Sequence, residues 1–116
     1  MNELPEADFE RRADATLQAM VEALIAASDL LDPDLQSGVL TLTFEDGTKY
    51  VVNSHRAARQ IWLAAERAAW HFDFAPGRGA WIAAQTGAEL WTTVAEVVGR
   101  KLGRTLELAA PAATAR

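Results

Sequence analysis

The stretch VLTLTFEDGTKYVVN, residues 39–53, decides how the rest of this chain is read. Leu40, Leu42 and Phe44 alternate with Val39, Thr41 and Thr43, the two-residue period of a strand with one buried face. Asp46-Gly47 follows, a strong hairpin signal because both residue types tolerate the positive φ of a type I′ turn. The chain then returns with Tyr50 and Val52 facing inward and Lys49, Val51 and Asn53 facing outward. Such a hairpin predicts an antiparallel sheet with one apolar side and one side left to water.

Working outward, the same period recurs. On the N-terminal side, LDPDL (31–35) alternates Leu31, Pro33 and Leu35 with Asp32 and Asp34, and Ser37-Gly38 forms a turn. Pro33 has no amide to donate to a ladder, so this strand belongs at a sheet edge. On the C-terminal side, SHRAAR reads as a polar connection that holds His55, followed by QIWLAA (60–65). AWHFDF (69–74) points Trp70, Phe72 and Phe74 inward and His71 and Asp73 outward; APGRG is a turn and AWIAA (80–84) a short strand. QIWLAA poses a problem. Ile61 and Leu63 mark its buried side, so Trp62 is left on the open side beside Gln60. Either a partner covers that indole or its own neighbours shield it.

Helices bracket the strands. Phe9, Ala13, Leu17, Met20, Val21, Leu24 and Ile25 recur at steps of three and four, the stripe of an amphipathic helix from Asp8 to about Leu30. Glu10, Asp14, Gln18 and Glu22 form a second row on it, which Asp29 extends. Thr86 and Glu89 have capping-box spacing ahead of a second stripe, Leu90, Trp91, Val94, Val97, Val98 and Leu102, and Gly103 supplies the stop. Leu106 and Leu108 are placed to pack, and residues 109–116 read as a flexible tail after a single domain spanning 1–108. The expected class is α+β: a two-layer α-β sandwich, two helices on one face of an antiparallel sheet of about six strands.

The totals fit such a globule. The chain has 116 residues, half of them apolar, and no cysteine, which removes disulfides, thiolate metal sites and a cysteine nucleophile. The segment MNELPEADFERR carries early acids and no apolar core, unlike a secretory signal, so a cytoplasmic protein is expected. No apolar run is long enough to span a bilayer. Charge is uneven: residues 1–48 hold eleven acids and two bases, a net of −9, while residues 49–116 carry a net of +4. An acidic N-terminal half disfavours phosphate backbones and suits metal cations or a basic protein surface.

This order of elements, with GVLTLTFEDGTKYVVN (38–53), QIWLAA (60–65), WHFDF (70–74) and the segment from Trp81 through TGAELW to Trp91, resembles the frataxin family, in particular its bacterial CyaY-type members. Phe9 and Ala13-Asp14 fit as well, and the likeness covers roughly residues 8–108. The resemblance implies an iron-binding accessory protein of iron–sulfur cluster assembly, a monomer that docks on the cysteine desulfurase and its scaffold protein. It places Asn53, Gln60 and Trp62 at the exposed partner-binding cluster of the sheet, where a Trp makes a strong interface anchor. It implies weak binding of ferrous or ferric iron by surface carboxylates, for which Asp8, Glu10, Asp14, Glu22, Asp29, Asp32 and Asp34 are the candidates. Oxygen ligands suit iron, but an open row of acids leaves most of the coordination shell to water. The residues alone read equally as a solvated acidic face, or as a field that steers docking onto a basic desulfurase surface. The acidic run is thinner than the family pattern, with Ala26 and Ala27 at positions where acids are common. The alternative is a frataxin-fold module that modulates the desulfurase without significant iron binding.

Catalysis finds little support. Neither His55 nor His71 has a Ser or Cys spaced to act as its nucleophile, and no acid sits in an evident apolar pocket. Exposed aromatics on a sheet are able to stack RNA bases, but the acidic helix face opposes that reading.

Overall fold

The computed structural model describes residues 4–110. Helix α1 (Glu6–Ala27) leads into six strands, β1 (Leu31–Gln36), β2 (Val39–Phe44), β3 (Lys49–His55), β4 (Gln60–Ala65), β5 (Ala68–Ala75) and β6 (Ala80–Ala83), and helix α2 (Leu90–Leu102) follows. The strands pair in chain order, β1-β2-β3-β4-β5-β6, and every pairing is antiparallel. Both helices lie on the same side of this meander, the α+β sandwich that the alternation implied. β1, with Pro33 in its middle, is an outer strand.

Alternation and burial agree along the central strands. Leu40, Leu42, Val52, Ile61, Leu63 and Phe72 are buried against Phe9, Ala13, Leu17, Met20 and Leu24 of α1 and Leu90, Val94, Val97 and Val98 of α2. Burial of this apolar surface, worth roughly 25 cal/mol per Å², is what holds the layers together. Phe9, Phe74 and Trp81 pack edge to face, with ring centroids 5.8 Å and 5.2 Å from Trp81. The Trp81 indole N–H donates to Thr16 Oγ1 at 3.2 Å, which satisfies the polar edge of a ring that is otherwise buried. Leu106 and Leu108 rest against the core edge as expected. The expected tail falls mostly on residues 111–116, which lie outside the described residues.

Helix limits differ from the stripe reading. α1 begins at Glu6 behind Pro5 and stops at Ala27, because Ser28 turns extended and its hydroxyl accepts the Leu30 amide at 2.9 Å. Asp29 therefore leaves the helical row, and Ile25, read as part of the stripe, is 56 % exposed. The buried stripe follows steps of four, four, three and four from Phe9 to Leu24, too narrow to include Ile25. α2 starts at Leu90, not behind Thr86. Gly87 has φ +78, which a right-handed helix cannot continue, and Glu89 bridges to Ile82 on the sheet edge. Glu89 is the cap, its carboxylate accepting the Trp91 and Thr92 amides at 2.8 and 2.9 Å. Thr86 Oγ1 instead accepts the Ala88 amide within the preceding turn.

The turns also redistribute their roles. Of Asp46-Gly47 only the glycine takes positive φ, and the Asp46 carboxylate accepts the Thr48 amide at 2.9 Å, so the loop is longer than a type I′ turn. Two-residue turns with positive φ at both centres occur instead at Ser37-Gly38 and at Glu66-Arg67. The second uses no glycine, so composition gave no sign of it. Its Glu66 binds the Arg100 guanidinium through two contacts of 2.8 Å, tying the β4–β5 hairpin to the end of α2. Asp46 makes the matching tie from the β2–β3 hairpin to Lys101 at 2.5 Å.

Hydrogen bonds from Lys101 and Thr48 hold the Asp46 carboxyl well below the usual carboxylate range, and the bidentate Arg100 contact lowers that of Glu66. A depressed carboxylate stabilises the fold above its unfolded pKa and stops doing so as pH falls through the folded one. Acid titration of the melting temperature should therefore show a smaller drop below pH 4 in Asp46→Asn/Glu66→Gln than in the parent, and 1 M salt should shrink the difference.

Gly99 marks a close approach. A Cβ there would stand 2.6 Å from the Arg104 carbonyl oxygen, where the chain turns back over α2. Gly99→Ala should cost about 2 kcal/mol in urea denaturation, while Gly77→Ala, with no heavy atom within 4 Å, should stay within about 0.5.

Candidate functional site

The sheet face away from the helices carries one continuous row. Cross-strand register aligns Gln36 with Val39, Val39 with Asn53, Asn53 with Trp62 and Trp62 with His71, from β1 to β5. A second row runs beside it, His55 opposite Gln60 and Gln60 opposite Asp73. The three expected partner residues, Asn53, Gln60 and Trp62, thus meet at neighbouring positions of β3 and β4, beneath neither helix. The strand alternation places them there, since each has the parity opposite to Val52, Ile61 and Leu63.

Trp62 is half-buried on this open face, and the rings covering it are its own neighbours. The His55 imidazole stacks on the indole with centroids 4.0 Å apart and planes 15° from parallel; His71 stacks at 4.2 Å and 14°. Since His55 stands on β3 and His71 on β5, the two imidazoles cover opposite faces of the β4 indole. The Trp62 N–H donates to Gln60 Oε1 at 2.8 Å, and the Gln60 amide nitrogen donates to Asp73 Oδ1 at 3.1 Å. His55 Nδ1 accepts the Ala58 amide at 3.3 Å, and Asn53 donates to the Ser54 carbonyl at 3.1 Å.

His55 is the residue that the strand reading missed. It ends β3 and does not lie in a connection. One more period of the alternation Lys49, Val51, Asn53 reaches it. His71 opposite Trp62 follows from the two-residue turn at Glu66-Arg67, which composition hid.

The seven candidate acids do not gather. Asp8, Glu10, Asp14 and Glu22 stand on α1, Asp29 in the bend after it, and Asp32 and Asp34 on β1. Asp32 and Asp34 pair across from Thr43 and Thr41, which puts them on the open sheet face. Two of the helical acids already have cations. Asp8 pairs with Arg11, and Glu10 contacts Arg56 at 2.9 Å, with Glu6 near the same guanidinium at 3.4 Å. Among the described residues, no three His, Asp or Glu side chains converge on a point able to hold a metal. Carboxylate oxygens are a donor type that iron accepts, but these seven are distributed along two elements and the bend between them.

The chain is thus a two-layer α-β sandwich with a six-strand meander and a ring-and-amide cluster on its bare sheet face. The model of the frataxin-like domain matches residues 2–104, and the chain belongs to that family. It is 38 % identical over 102 residues to the iron-sulfur cluster assembly protein CyaY of Thioalkalivibrio sulfidiphilus, covering 86 % of this chain and 95 % of the relative. The CyaY of Azotobacter vinelandii is 38 % identical over 106 residues, 90 % of this chain and 94 % of the relative. Among solved structures, the frataxin of Psychromonas ingrahamii superposes with a TM-score of 0.82 at 27 % identity, over 90 % of this chain and 97 % of that one. Trimeric frataxin of Saccharomyces cerevisiae, solved with ferrous iron, matches with a TM-score of 0.63 at 28 % identity, over 90 % and 91 % of the two chains.

Proposed function

We propose that this chain is an accessory protein of iron–sulfur cluster assembly that docks on the cysteine desulfurase–scaffold complex through its open sheet face. The observation that carries the reading is the placement of Asn53, Gln60 and Trp62 at adjoining register positions that no helix covers. The names of its bacterial relatives support the pathway. The role is binding and not catalysis, it involves neither nucleic acid nor membrane, and the working form is a cytoplasmic monomer. No helix among the described residues is long and apolar enough to cross a membrane.

Iron enters as cargo. Asp14, Glu22, Asp29, Asp32 and Asp34, together with the paired Asp8 and Glu10, attract it by summed field and hold it weakly. The yeast frataxin solved with ferrous iron supports this reading. The same acids orient the protein against a basic desulfurase surface, an effect that needs field more than geometry. The second reading, a docking module that modulates the desulfurase without significant iron binding, is favoured by the ion pairs at Asp8 and Glu10 and by the scatter of the rest.

Trp62→Ala should stay folded by circular dichroism and bind the desulfurase–scaffold complex at least about tenfold more weakly, as loss of a central Trp anchor does. Parent-like affinity would sink the docking reading. Ferrous iron should perturb the amide resonances of Asp14, Glu22, Asp32 and Asp34 and leave those of α2 unchanged. An undisturbed spectrum would leave the module without iron as the function, which a sulfide-production assay with and without iron then separates by its iron independence.

A further inference from the structure

We propose that His55 and His71 are positioning residues that fix the Trp62 indole edge-outward, so that the docked partner meets its C–H edge with an aliphatic side chain. This rests on the docking reading above and deepens it. An indole offers a partner three things: two π faces, one N–H donor and a C–H edge. Here the first two are already used. His55 and His71 occupy the faces at 4.0 and 4.2 Å, and Gln60 Oε1 accepts the N–H at 2.8 Å. An aromatic ring or a guanidinium from a partner would have to displace an imidazole before it could stack. The edge remains.

The surroundings of that edge favour an aliphatic occupant. Val39, 42 % exposed, continues the row through Asn53, so apolar surface lies two strands away on the same face. Asn53 and Gln60 flank it with amides held in place within the chain, Asn53 by the Ser54 carbonyl and Gln60 by Asp73 and the indole N–H. The clamp is itself anchored, because the β3–β4 turn holds His55 through the Ala58 amide. Two stacked contacts remove the indole's rotamer freedom before docking, so a partner need not immobilise it.

The test compares His55→Ala and His71→Ala with His55→Phe and His71→Phe. Two quantities are read in each: the heteronuclear NOE of the Trp62 indole N–H, and the Kd for the desulfurase–scaffold complex. Each Ala variant should lower the NOE and weaken binding about fivefold to tenfold, as loss of an aromatic pair implies, and each Phe variant should recover both. The sign is decisive. A partner that needs a ring face would bind an Ala variant more tightly, because truncation opens one, and equal or tighter binding overturns the proposal. Trp62→Ala is measured alongside. If it binds weakly while the His→Ala variants bind like the parent, only the positioning role fails; if it binds like the parent, the docking reading fails with it. Should one Ala variant not fold, the other and the two Phe variants still decide the result.

Discussion

Everything in this molecule depends on covering one side of a six-strand meander and leaving the other bare. Side chains alternate across a pleated sheet, so a single layer of helices removes one parity of residues from water and exposes the other. Leu40, Val52, Ile61 and Phe72 take the first fate and Thr41, Asn53, Trp62 and His71 the second. A shift of one residue in any pairing would exchange the two sets, which makes register a determinant of both stability and surface chemistry. The ion pairs from Asp46 to Lys101 and Glu66 to Arg100 lie at the surface, and each adds modestly to stability while its carboxylate is ionised. They fix where α2 ends over the hairpins.

The bare side resolves the apparent waste of a large apolar residue by local means. Trp62 is neither fully exposed nor roofed by a helix; two imidazoles from adjoining strands take its faces, and a glutamine takes its N–H. The surface that results sets stacked rings beside hydrogen-bonded amides. An indole with both faces covered presents less apolar surface for unspecific association than a bare one would. The candidate acids are arranged differently, spread over α1, the bend after it and β1, with Asp8 and Glu10 already facing arginines.

Much of this was legible in the chain. The alternation in VLTLTF and QIWLAA identified the buried parity, Pro33 marked the edge strand, Gly103 marked the end of α2, and the order of these motifs carried the family. The misreadings fall at element ends. Asp29 looked like a helical row residue because its spacing fits one, but Ser28 had already left the helix. Thr86 matched a capping box, yet Gly87 in a left-handed conformation delayed the helix to Leu90. Periodicity reports the interior of an element, where many residues agree, and is silent about the one residue whose backbone breaks it.

The sequence by itself determined which residues could share a face, since parity along a strand and spacing along a helix are properties of the local backbone. It could not determine which of those residues touch. That His55, Trp62 and His71 stack and that Glu10 meets Arg56 were decided by tertiary structure alone, whereas Asp8 with Arg11 and Gln60 with Trp62 are neighbours along one helix face and one strand face. Stacking depends on the registers of two hairpins taken together, one of them set by a turn of Glu66 and Arg67 that no turn-forming residue announces. Contact across strands is a long-range property, fixed only when the whole sheet has chosen its pairing.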